Sequence, residues 1–476
     1  MAKKKANKKA PPSKSKKKVP STKVPFETTK SKDSSSLNNS NKWMWIMSIF
    51  FLAAGILTPP ALDLWQEYST RSNNDSLTQE APRDSSSPSP LTPSNQKTEK
   101  LKKRVLESCD PEAVEDLQGF ITEEGVLGMH TLCFHGNNLV TIFQNSKTSN
   151  QHIDIPVFAS DGDAVTWKTF KDDILEARLN LSKRRYPVQA WALFDIEGHR
   201  IIDEGYEDMT DKRLVSFLMD QGIIIIMEGG QWVWPGIREG FIRKIPLEDD
   251  TKEFATLETL SLNPLVLSVD GFLTDEECNF IQETAAPMMK YSGVTLMDKD
   301  KGRPASDFRT SQSTFLGPQY KGLIDVDYRT SSLVRIPRSH QEHVQVLRYG
   351  HTEKYNAHHD YFDPRLYKND PNTLRMIQNG NKNRMATVFW YLSDVVKGGE
   401  TIFPRYGAAP TPRDMADCTN GLKVKPQRGK VIIFYSMTAE GTTDAYSLHG
   451  ACPVEEGIKW AANKWVWNQP TGYYRD

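Results

Sequence analysis

The sequence predicts a β-rich fold, a β sandwich or jelly roll with flanking helices, over residues 258–476. The main observation is a series of short segments rich in aromatic and β-branched residues and separated by turn signals, which is typical of strands. The clearest of them are EHVQVLRY, RMATVFWYL, GKVIIFYS and KWAANKWVW. Many short strands with few helices indicate a sandwich or jelly roll. One helix is expected ahead of them, in LTDEECNFIQETAA, where Thr274 and Glu277 form a T-x-x-E capping box.

A smaller α+β domain is predicted before it, over residues 101–255. VQAWALFDI and GIIIIMEGG have the pattern of buried strands, and FKDDILEARLNL and DKRLVSFLMDQ that of amphipathic helices. The aromatic stretch GGQWVWPGIREGF fits either a binding surface or the packing of an irregular loop. No ligand motif stands out in this region, so its role is left open.

The first 100 residues are predicted to be a membrane anchor with a flanking segment on each side. The chain of 476 residues has zero net charge, yet its first 32 residues contain twelve lysines. Residues 1–42 are therefore predicted to be a basic, disordered tail. Such a tail can bind nucleic acid, but the apolar segment that follows, residues 43–65, argues against a nucleic-acid partner. Residues 66–100, rich in Ser, Pro, Asn and Gln, are predicted to be a flexible stem.

The segment from Trp43 to Trp65 has one charge, Asp63, and a tryptophan at each end. About 20 helical residues cross a bilayer core, although Pro59 and Pro60 shorten the uninterrupted helix. A signal anchor is favoured, with a cleaved signal peptide and a buried helix as the alternatives. Lysines stay on the cytoplasmic side, which predicts a single-pass type II protein of the endoplasmic reticulum or Golgi membrane with a lumenal catalytic domain.

Five cysteines follow the anchor, and none forms a CxxC pair. Zinc-ribbon spacing is therefore absent from the sequence. In an oxidising lumen a disulfide is expected, with Cys109–Cys133 or Cys418–Cys452 as the natural candidates and one thiol left over. The sequence alone does not fix the pairing.

A metal site is suggested by YNAHHDYF, because side chains two apart in a strand share a face. His358 and Asp360 then point together, and a third ligand must come from elsewhere. His449, in an apolar strand context, is the candidate, and Lys459 lies ten residues beyond it. If a hairpin is centred on Glu456, Lys459 lies opposite Pro453 and shares the face of His449, about 13 Å from it along the strands.

Residues 258–470 resemble the catalytic domain of the prolyl 4-hydroxylases, which are Fe(II)- and 2-oxoglutarate-dependent dioxygenases with a jelly-roll, or double-stranded β-helix, core. The matching stretches occur in the family's order: VDGFLTDEEC, FRTSQSTFL, VQVLRYGHTEKYNAHHDYF, RMATVFWYLSDVVKGGETIFP, GLKVKPQRGKVIIF and HGACPVEEGIKWAANKWV. Several motifs in one order are far more specific than H-x-D alone. The membrane-anchored type of plants and protists is the most similar.

This resemblance implies roles for individual residues. The expected Fe(II) ligands are His358, Asp360 and His449, and Lys459 is expected to bind the far carboxylate of 2-oxoglutarate. Two further residues, Tyr349 and Thr401, match positions that line the 2-oxoglutarate pocket, although a core aromatic and a turn residue would explain them as well. A further match is to the mobile substrate loop that closes over the peptide, formed here by Arg309, Thr310 and Ser311. A plain polar turn would explain these residues as well.

The implied reaction is hydroxylation of peptidyl proline at C4 in secretory-pathway proteins, coupled to oxidative decarboxylation of 2-oxoglutarate to succinate and CO₂. O₂ and ascorbate are the other expected cosubstrates, and a proline-containing polypeptide is the expected partner. A disulfide isomerase partner is doubtful, because residues 101–255 do not look like the helical peptide-binding domain of collagen-type enzymes. The alternatives are a non-catalytic lumenal binding protein and a dioxygenase acting on another residue such as lysine, although lysyl hydroxylases use an arginine where this chain has Lys459.

Overall fold

The structure is a computed structural model. It describes residues 106–121, 128–135, 139–144, 153–156, 164–181, 191–203, 205–247 and 254–474. The predicted tail, anchor and stem, residues 1–100, lie outside the described residues. Within the described ranges, no helix combines the length and apolar character needed to cross a membrane.

The first part of the described chain contains a six-stranded antiparallel sheet in the order β3-β2-β1-β6-β4-β5. The strands are β1 Met129–His135, β2 Leu139–Gln144, β3 Ile153–Pro156, β4 Trp191–Phe194, β5 Arg200–Asp203 and β6 Ile223–Glu228. Two of them, β4 and β6, are the strands that the sequence predicts here. Every residue of β6 is buried, because this strand lies between β1 and β4 and both faces of the sheet are covered.

Three helices accompany this sheet: α1 Glu115–Gln118, α2 Trp167–Thr169, which continues as a π-helix over Phe170–Glu176, and α3 Lys212–Gln221. The last two match the predicted amphipathic helices. Asp211 caps α3, since its side chain accepts hydrogen bonds from the backbone N–H groups of Arg213 and Leu214. Gly222, at φ 75°, ends this helix in a backbone conformation that suits glycine.

The aromatic stretch after β6 is a packing element. Trp232 and Trp234 are buried and meet edge to face, with ring centroids 5.1 Å apart. The indole N–H of Trp234 donates to the carbonyl of Leu333 over 2.7 Å, so the ring is also anchored in the second part of the chain. Of the two predictions for this stretch, loop packing is the one that these contacts support.

The second part is built on a nine-stranded antiparallel sheet in the order β10-β11-β12-β21-β14-β18-β9-β8-β7. Its strands are β7 Ile242–Pro246, β8 Phe254–Leu262, β9 Leu265–Val269, β10 Lys290–Tyr291, β11 Gln312–Leu316, β12 Val344–Tyr349, β14 Arg384–Tyr391, β18 Val431–Tyr435 and β21 Lys459–Trp467. The four clearest predicted strands correspond to β12, β14, β18 and β21. One large hydrophobic core runs from this sheet to the first part of the chain, since it includes Leu117 and Phe120 as well as Leu257 and Leu267.

A four-stranded sheet, β13-β19-β16-β17, faces the larger one. Its strands are β13 Tyr355–His358, β16 Thr401–Phe403, β17 Leu422–Val424 and β19 His449–Ala451, and a separate two-stranded sheet pairs β15 Lys397–Gly398 with β20 Val454–Glu456. A shared apolar cluster joins the two facing sheets, with Phe403 and Val424 from the smaller and Phe389 and Phe434 from the larger. The chain crosses repeatedly between them, so distant segments meet in the space that the sheets enclose.

Helices cover the outer face of the large sheet, chiefly α4 Asp275–Ala285 and α5 Ile324–Val334, while α6 Pro371–Met376 lies in the connection from β13 to β14. The predicted capping box at the start of α4 is present. The hydroxyl of Thr274 accepts from the backbone N–H of Glu277 over 3.2 Å, and the Glu277 carboxylate accepts from the N–H of Thr274 over 2.9 Å. The β-rich, antiparallel character of this part is therefore confirmed. The division of the chain near residue 256 stays a prediction.

Two disulfides join Cys109 to Cys133 and Cys418 to Cys452, the two pairs favoured by the sequence. Cys278 is a buried free thiol, and burial raises its pKa to about 11. The two bridges agree with folding in an oxidising, secretory compartment.

Candidate functional site

Two strands of the smaller sheet bring together the three predicted metal ligands. His358 ends β13, Asp360 follows two residues later, and His449 begins β19, where it pairs directly with His358. One ligand atom from each residue lies within 4.8 Å of the other two. The Asp360 carboxylate is 3.7 Å from Nε2 of His358 and 3.5 Å from Nε2 of His449. The H-x-D pair and the distant histidine thus form one cluster.

The close approach of the two strands depends on a glycine. Gly450 separates His449 from Ala451, and a Cβ atom at this position would lie 2.9 Å from the carbonyl oxygen of Tyr355 and 3.1 Å from the nitrogen of Ala357. Contacts that short force the backbone to move. A side chain at 450 would therefore push β13 and β19 apart and separate the paired histidines.

Each imidazole is held in one orientation. Nδ1 of His358 lies 2.9 Å from the carbonyl oxygen of Asn356, and Nδ1 of His449 lies 2.9 Å from that of Ser447. A carbonyl oxygen only accepts, so each Nδ1 carries a proton, and each Nε2 faces Asp360. Such backbone contacts fix the tautomer and ring orientation of metal-binding histidines.

The charge states suit a cation. Burial, together with the adjacent His449, lowers the pKa of His358 to about 3, so this imidazole is neutral at physiological pH. Burial opposes ionisation of Asp360, but the neighbouring His449 and His358 and the Arg384 guanidinium outweigh it and hold the pKa of this carboxyl below its ordinary range. Two imidazole nitrogens and one carboxylate are the donor set of a 2-His-1-carboxylate facial triad, which suits non-haem Fe(II) and leaves coordination positions open.

Lys459 lies between the two facing sheets and not on the surface. It has no solvent exposure, and its ammonium group donates to the carbonyl of Gly399 over 2.7 Å. The rings of Tyr349, Phe389 and Tyr391 surround its Nζ, with centroids 5.3–5.6 Å away. Burial lowers the pKa of Lys459 to about 7. A fully buried lysine among aromatic rings is costly unless an anion joins it.

The hairpin register assumed for this lysine is wrong. β20 pairs with β15, whereas Lys459 begins β21 and pairs with Tyr349 of β12. His449 and Lys459 consequently belong to different sheets. They line the same space because the two sheets face each other. The sequence therefore placed both residues in the site on the basis of an incorrect hairpin.

Tyr349 and Thr401 lie beside this lysine. Tyr349 is its direct strand partner and is buried. The Thr401 hydroxyl accepts a hydrogen bond from the hydroxyl of Tyr391 over 2.8 Å, and Tyr391 is one of the rings around the ammonium group. The predicted pocket residues and the lysine are therefore neighbours, with polar hydroxyls close to the positive charge.

Comparison with known proteins agrees with this geometry. Residues 344–467 match the family model described as 2OG-Fe(II) oxygenase superfamily. Probable prolyl 4-hydroxylase 10 of Arabidopsis thaliana is 40% identical over 226 residues, 46% of this chain and 74% of that protein. The chain belongs to the prolyl 4-hydroxylase family. A second Arabidopsis relative, prolyl 4-hydroxylase 2, is 36% identical over 219 residues, 44% of this chain and 69% of that protein.

Among solved structures, the viral collagen prolyl hydroxylase from Paramecium Bursaria Chlorella virus-1 is 24% identical and superposes with a TM-score of 0.30, covering 42% of this chain and 95% of that one. The assignment to the prolyl 4-hydroxylase family comes from the Arabidopsis relatives. With it, this chain is an Fe(II)- and 2-oxoglutarate-dependent oxygenase whose triad has the donor set that ferrous iron requires.

The segment that the sequence assigns to the substrate loop is attached to the edge of β13. Arg309 pairs with Tyr355 in an isolated bridge, and its guanidinium lies 4.6 Å from the centroid of the Tyr355 ring. Nε of Arg309 donates to the Ser311 hydroxyl over 2.8 Å, and the backbone N–H of Thr310 donates to the carbonyl of Lys354 over 3.1 Å. All three residues thus border the strand that carries His358.

Three neighbours of the triad in this prolyl 4-hydroxylase were not singled out from the sequence. The Thr387 hydroxyl donates to Asp360 over 2.7 Å, the Arg384 guanidinium comes within 4.0 Å of the same carboxylate, and the Tyr355 ring stacks on His358 with centroids 3.7 Å apart. A polar residue inside the apolar strand RMATVFWYL was the available signal for Thr387. Nothing local in the sequence shows that Arg384 reaches Asp360.

The aromatic side chains around the site have mixed roles. Phe434 lies against His449, with ring centroids 4.5 Å apart, and Phe389 and Tyr391 surround Lys459. Trp465 carries the Arg384 guanidinium on its face, 3.4 Å from the ring centroid. Phe389, Tyr391 and Phe434 also belong to the apolar cluster between the two sheets. The contacts that pack the two sheets together therefore also enclose the site.

Proposed function

We propose that this chain hydroxylates C4 of proline residues in polypeptides of the secretory pathway, with Fe(II), 2-oxoglutarate, O₂ and ascorbate. The observation that carries the proposal is the buried Lys459 in the same enclosed space as the His358, Asp360 and His449 cluster. When bound, iron and 2-oxoglutarate supply the oxidising chemistry and 2-oxoglutarate ends as succinate and CO₂. The protein binds, orients and shields the reactants.

In this proposal, His358, Asp360 and His449 hold the iron. The carbonyls of Asn356 and Ser447 keep both Nε2 lone pairs aimed at the cluster, and Thr387 orients the carboxylate. Because His358 is neutral at physiological pH and carries its proton on Nδ1, it can bind a cation without releasing a proton. The facial arrangement leaves one side for cosubstrate and O₂.

Lys459 binds the distal carboxylate of 2-oxoglutarate, with Tyr349 and Thr401 as the hydroxyl-bearing walls of the pocket. An ammonium buried at this depth gains a charge-assisted hydrogen bond when a carboxylate arrives. The rings of Phe389 and Tyr391 exclude water, which strengthens that interaction. A dicarboxylate is favoured over a monocarboxylate for this reason.

The polypeptide substrate lies over the open side of the triad, near Tyr355, Trp465 and Arg384. The aromatic edges there give an apolar rim that suits a proline ring, while the Arg384 guanidinium is held by Glu342 and lies on the Trp465 ring. Arg309, Thr310 and Ser311, on the segment attached to β13, form the substrate loop that closes over the peptide. This arrangement presents the ring carbon beside the metal and keeps the flanking peptide outside the pocket.

The fold proposed for residues 258–476 is the double-stranded β-helix, or jelly roll, because the chain alternates between the two facing sheets. We also place the domain in the lumen of the endoplasmic reticulum or Golgi, held by the apolar segment 43–65 as a single-pass type II anchor. The support is the apolar sequence of that segment, the lysines before it, and the two disulfides of the folded part. A disulfide isomerase subunit is not part of the proposal.

The proposal is tested with the full-length chain, Fe(II), 2-oxoglutarate and ascorbate, against poly-proline, Ser-Pro repeats and collagen-like Gly-x-Pro peptides. Hydroxylation is expected to give one succinate per oxygen atom gained, with the added mass located on a proline ring by fragmentation. His358→Ala is the matched control and should abolish both products. Peptide binding without succinate or mass gain would instead identify a non-catalytic binding protein, and mass gain on lysine would identify a different oxygenase.

A further inference from the structure

The connection from β16 to β17, residues 404–421, is called the strap here. It contacts β13 beside an iron ligand, since the backbone N–H of Ala357 donates to the carbonyl of Met415 over 2.7 Å. Ala357 immediately precedes His358. On its other side β13 pairs with β19 only at Tyr355 with Ala451 and at His358 with His449, with an irregular register between them. The β13–β19 ladder leaves Asn356 and Ala357 unpaired. The strap holds Ala357, while the N–H of Asn356 donates to the carbonyl of Phe308 over 2.9 Å.

A disulfide ties the same part of the strap to the other histidine strand. Cys418 lies three residues after Met415, and Cys452 lies three residues after His449. Cys452 is buried, and its backbone N–H donates to the carbonyl of Glu400 over 2.9 Å. One bridge thus connects the two strands that supply the imidazoles, through the strap on one side and directly on the other.

Several long-range hydrogen bonds anchor the start of the strap, whereas near Met415 the described residues show the Ala357 contact alone. Arg405 donates to the carbonyl of Ala445 over 3.0 Å, the hydroxyl of Tyr406 donates to Glu239 over 2.9 Å, and the N–H of Gly407 donates to the carbonyl of Asn263 over 2.9 Å. Around Met415 the side-chain hydrogen bonds are local turns, at Asp414 and at Asp417. In the described chain, the disulfide is accordingly the long-range restraint closest to the Met415 contact.

We propose that the Cys418–Cys452 disulfide is a positioning element for iron binding, which acts by holding the strap against β13 and so fixing the spacing of His358 and His449. The inference depends on the proposed function, because it assumes that these residues hold the metal. The proposed role is more specific than general stabilisation of the fold. Loss of the bridge should loosen the triad even under conditions where the protein stays folded.

The expected effect is a 10–100-fold weaker metal affinity, the range for losing groups that orient metal ligands. The chain contains a matched control in the Cys109–Cys133 bridge, which lies in the first part of the fold. The two bridges close loops of similar length, with sequence separations of 34 and 24. Removing either should lower the thermal midpoint to a comparable degree, because each constrains the unfolded chain in the same way.

The test compares Cys418→Ser/Cys452→Ser with Cys109→Ser/Cys133→Ser in the full-length chain. Mn(II) binding is measured by titration, and the Co(II) absorption spectrum reports the coordination of the bound ion. The first double variant should bind Mn(II) at least tenfold more weakly than wild type, with an altered Co(II) spectrum. The second should match wild type in both readouts although its thermal midpoint falls.

A reversible version avoids comparing separately folded variants. In the Cys109→Ser/Cys133→Ser chain, a phosphine reductant opens the remaining bridge. The phosphine gives two electrons to the disulfide and takes the oxygen of one water molecule to become the phosphine oxide, and the two protons of that water go to the sulfurs. Metal affinity should fall, and oxidised glutathione should restore it. Equal Mn(II) affinity with the bridge open and closed would overturn this inference while leaving the iron site intact, whereas failure of the wild-type chain to bind Mn(II) or Co(II) would refute the proposed function itself.

Discussion

Raising the pH should weaken 2-oxoglutarate binding, because the ammonium proposed to hold the ligand is buried. Lys459 has no solvent exposure, and aromatic rings and the carbonyl of Gly399 surround its ammonium group. The negative charge of Glu400 also acts on it, but less strongly than burial does. Burial lowers its pKa from 10.5 to about 7. Above that pH the ligand-free protein holds the neutral amine, so a dicarboxylate can bind well only if a proton is taken up.

The magnitude follows from linkage. A carboxylate beside Lys459 favours the ammonium form and raises its pKa again. Each pH unit between the ligand-free and the ligand-bound pKa then costs about 1.4 kcal/mol, a factor of about ten in affinity. From about pH 7 to about pH 9 the dissociation constant for 2-oxoglutarate should rise roughly 100-fold. Proton uptake per ligand should increase from about zero below pH 6 to about one at pH 9.

Isothermal titration calorimetry measures both quantities, with Mn(II) in place of Fe(II) and two buffers of different ionisation enthalpy. Lys459→Arg is the control, since a guanidinium stays protonated over this range. It should bind 2-oxoglutarate without the proton uptake. The reasoning fails if the arginine variant takes up as many protons as wild type, or if wild-type affinity is constant across this range.

The same pKa predicts the stability of the ligand-free protein. The unfolded chain keeps the Lys459 proton up to about pH 10.5, whereas the folded chain releases it at about 7. The unfolded state therefore binds more protons in this window, so the free energy of unfolding should rise with pH across it. Lys459→Met should abolish this slope in urea titrations, and a slope that persists in the variant would assign it to another group.

Three further changes test the supporting contacts. Thr387→Val removes the hydroxyl that holds Asp360 and should weaken Mn(II) binding about tenfold with little change in unfolding free energy; an unchanged affinity would show that the contact is dispensable. Lys464→Met leaves buried Asp327 without its 2.6 Å ammonium partner but with the Arg338 guanidinium at 3.5 Å, so it should cost less in urea unfolding than the about 3–5 kcal/mol of a wholly unpaired buried charge, and adding Asp327→Leu should recover part of that loss if the weakened pairing is its cause. Thr274→Ala breaks the capping box of α4 and should cost about 1 kcal/mol, whereas Thr274→Ser should be close to neutral.

The strands and helices that the sequence predicts are those whose local pattern is strong. Continuous apolar segments gave β6, β14 and β18, and the T-x-x-E pattern gave the start of α4. The two disulfide pairs could also be suggested from the sequence, because each joins cysteines that are near in sequence and the cysteines show no metal-binding spacing. In these cases the information lies within a few tens of residues.

The register around Lys459 shows where local reasoning stops. A turn signal at Glu456 suggested a hairpin, but β20 pairs with β15 and β21 inserts between β12 and β14. The choice of partner depends on which strands compete across the whole sheet. Arg384 escaped notice for the same reason, since its approach to Asp360 depends on the connection that carries α6.

By itself the sequence determined the chemistry of the site: two imidazoles, one carboxylate and one lysine, in an order that the prolyl 4-hydroxylase family shares. Side-chain alternation was enough to put His358 beside Asp360. Only the tertiary structure decided that His449 pairs with His358, that Lys459 enters from the opposite sheet, and that Thr387 and the strap border the cluster. Those contacts join strands far apart in the chain, and their partners are selected by sheet pairing and burial, which no local pattern encodes.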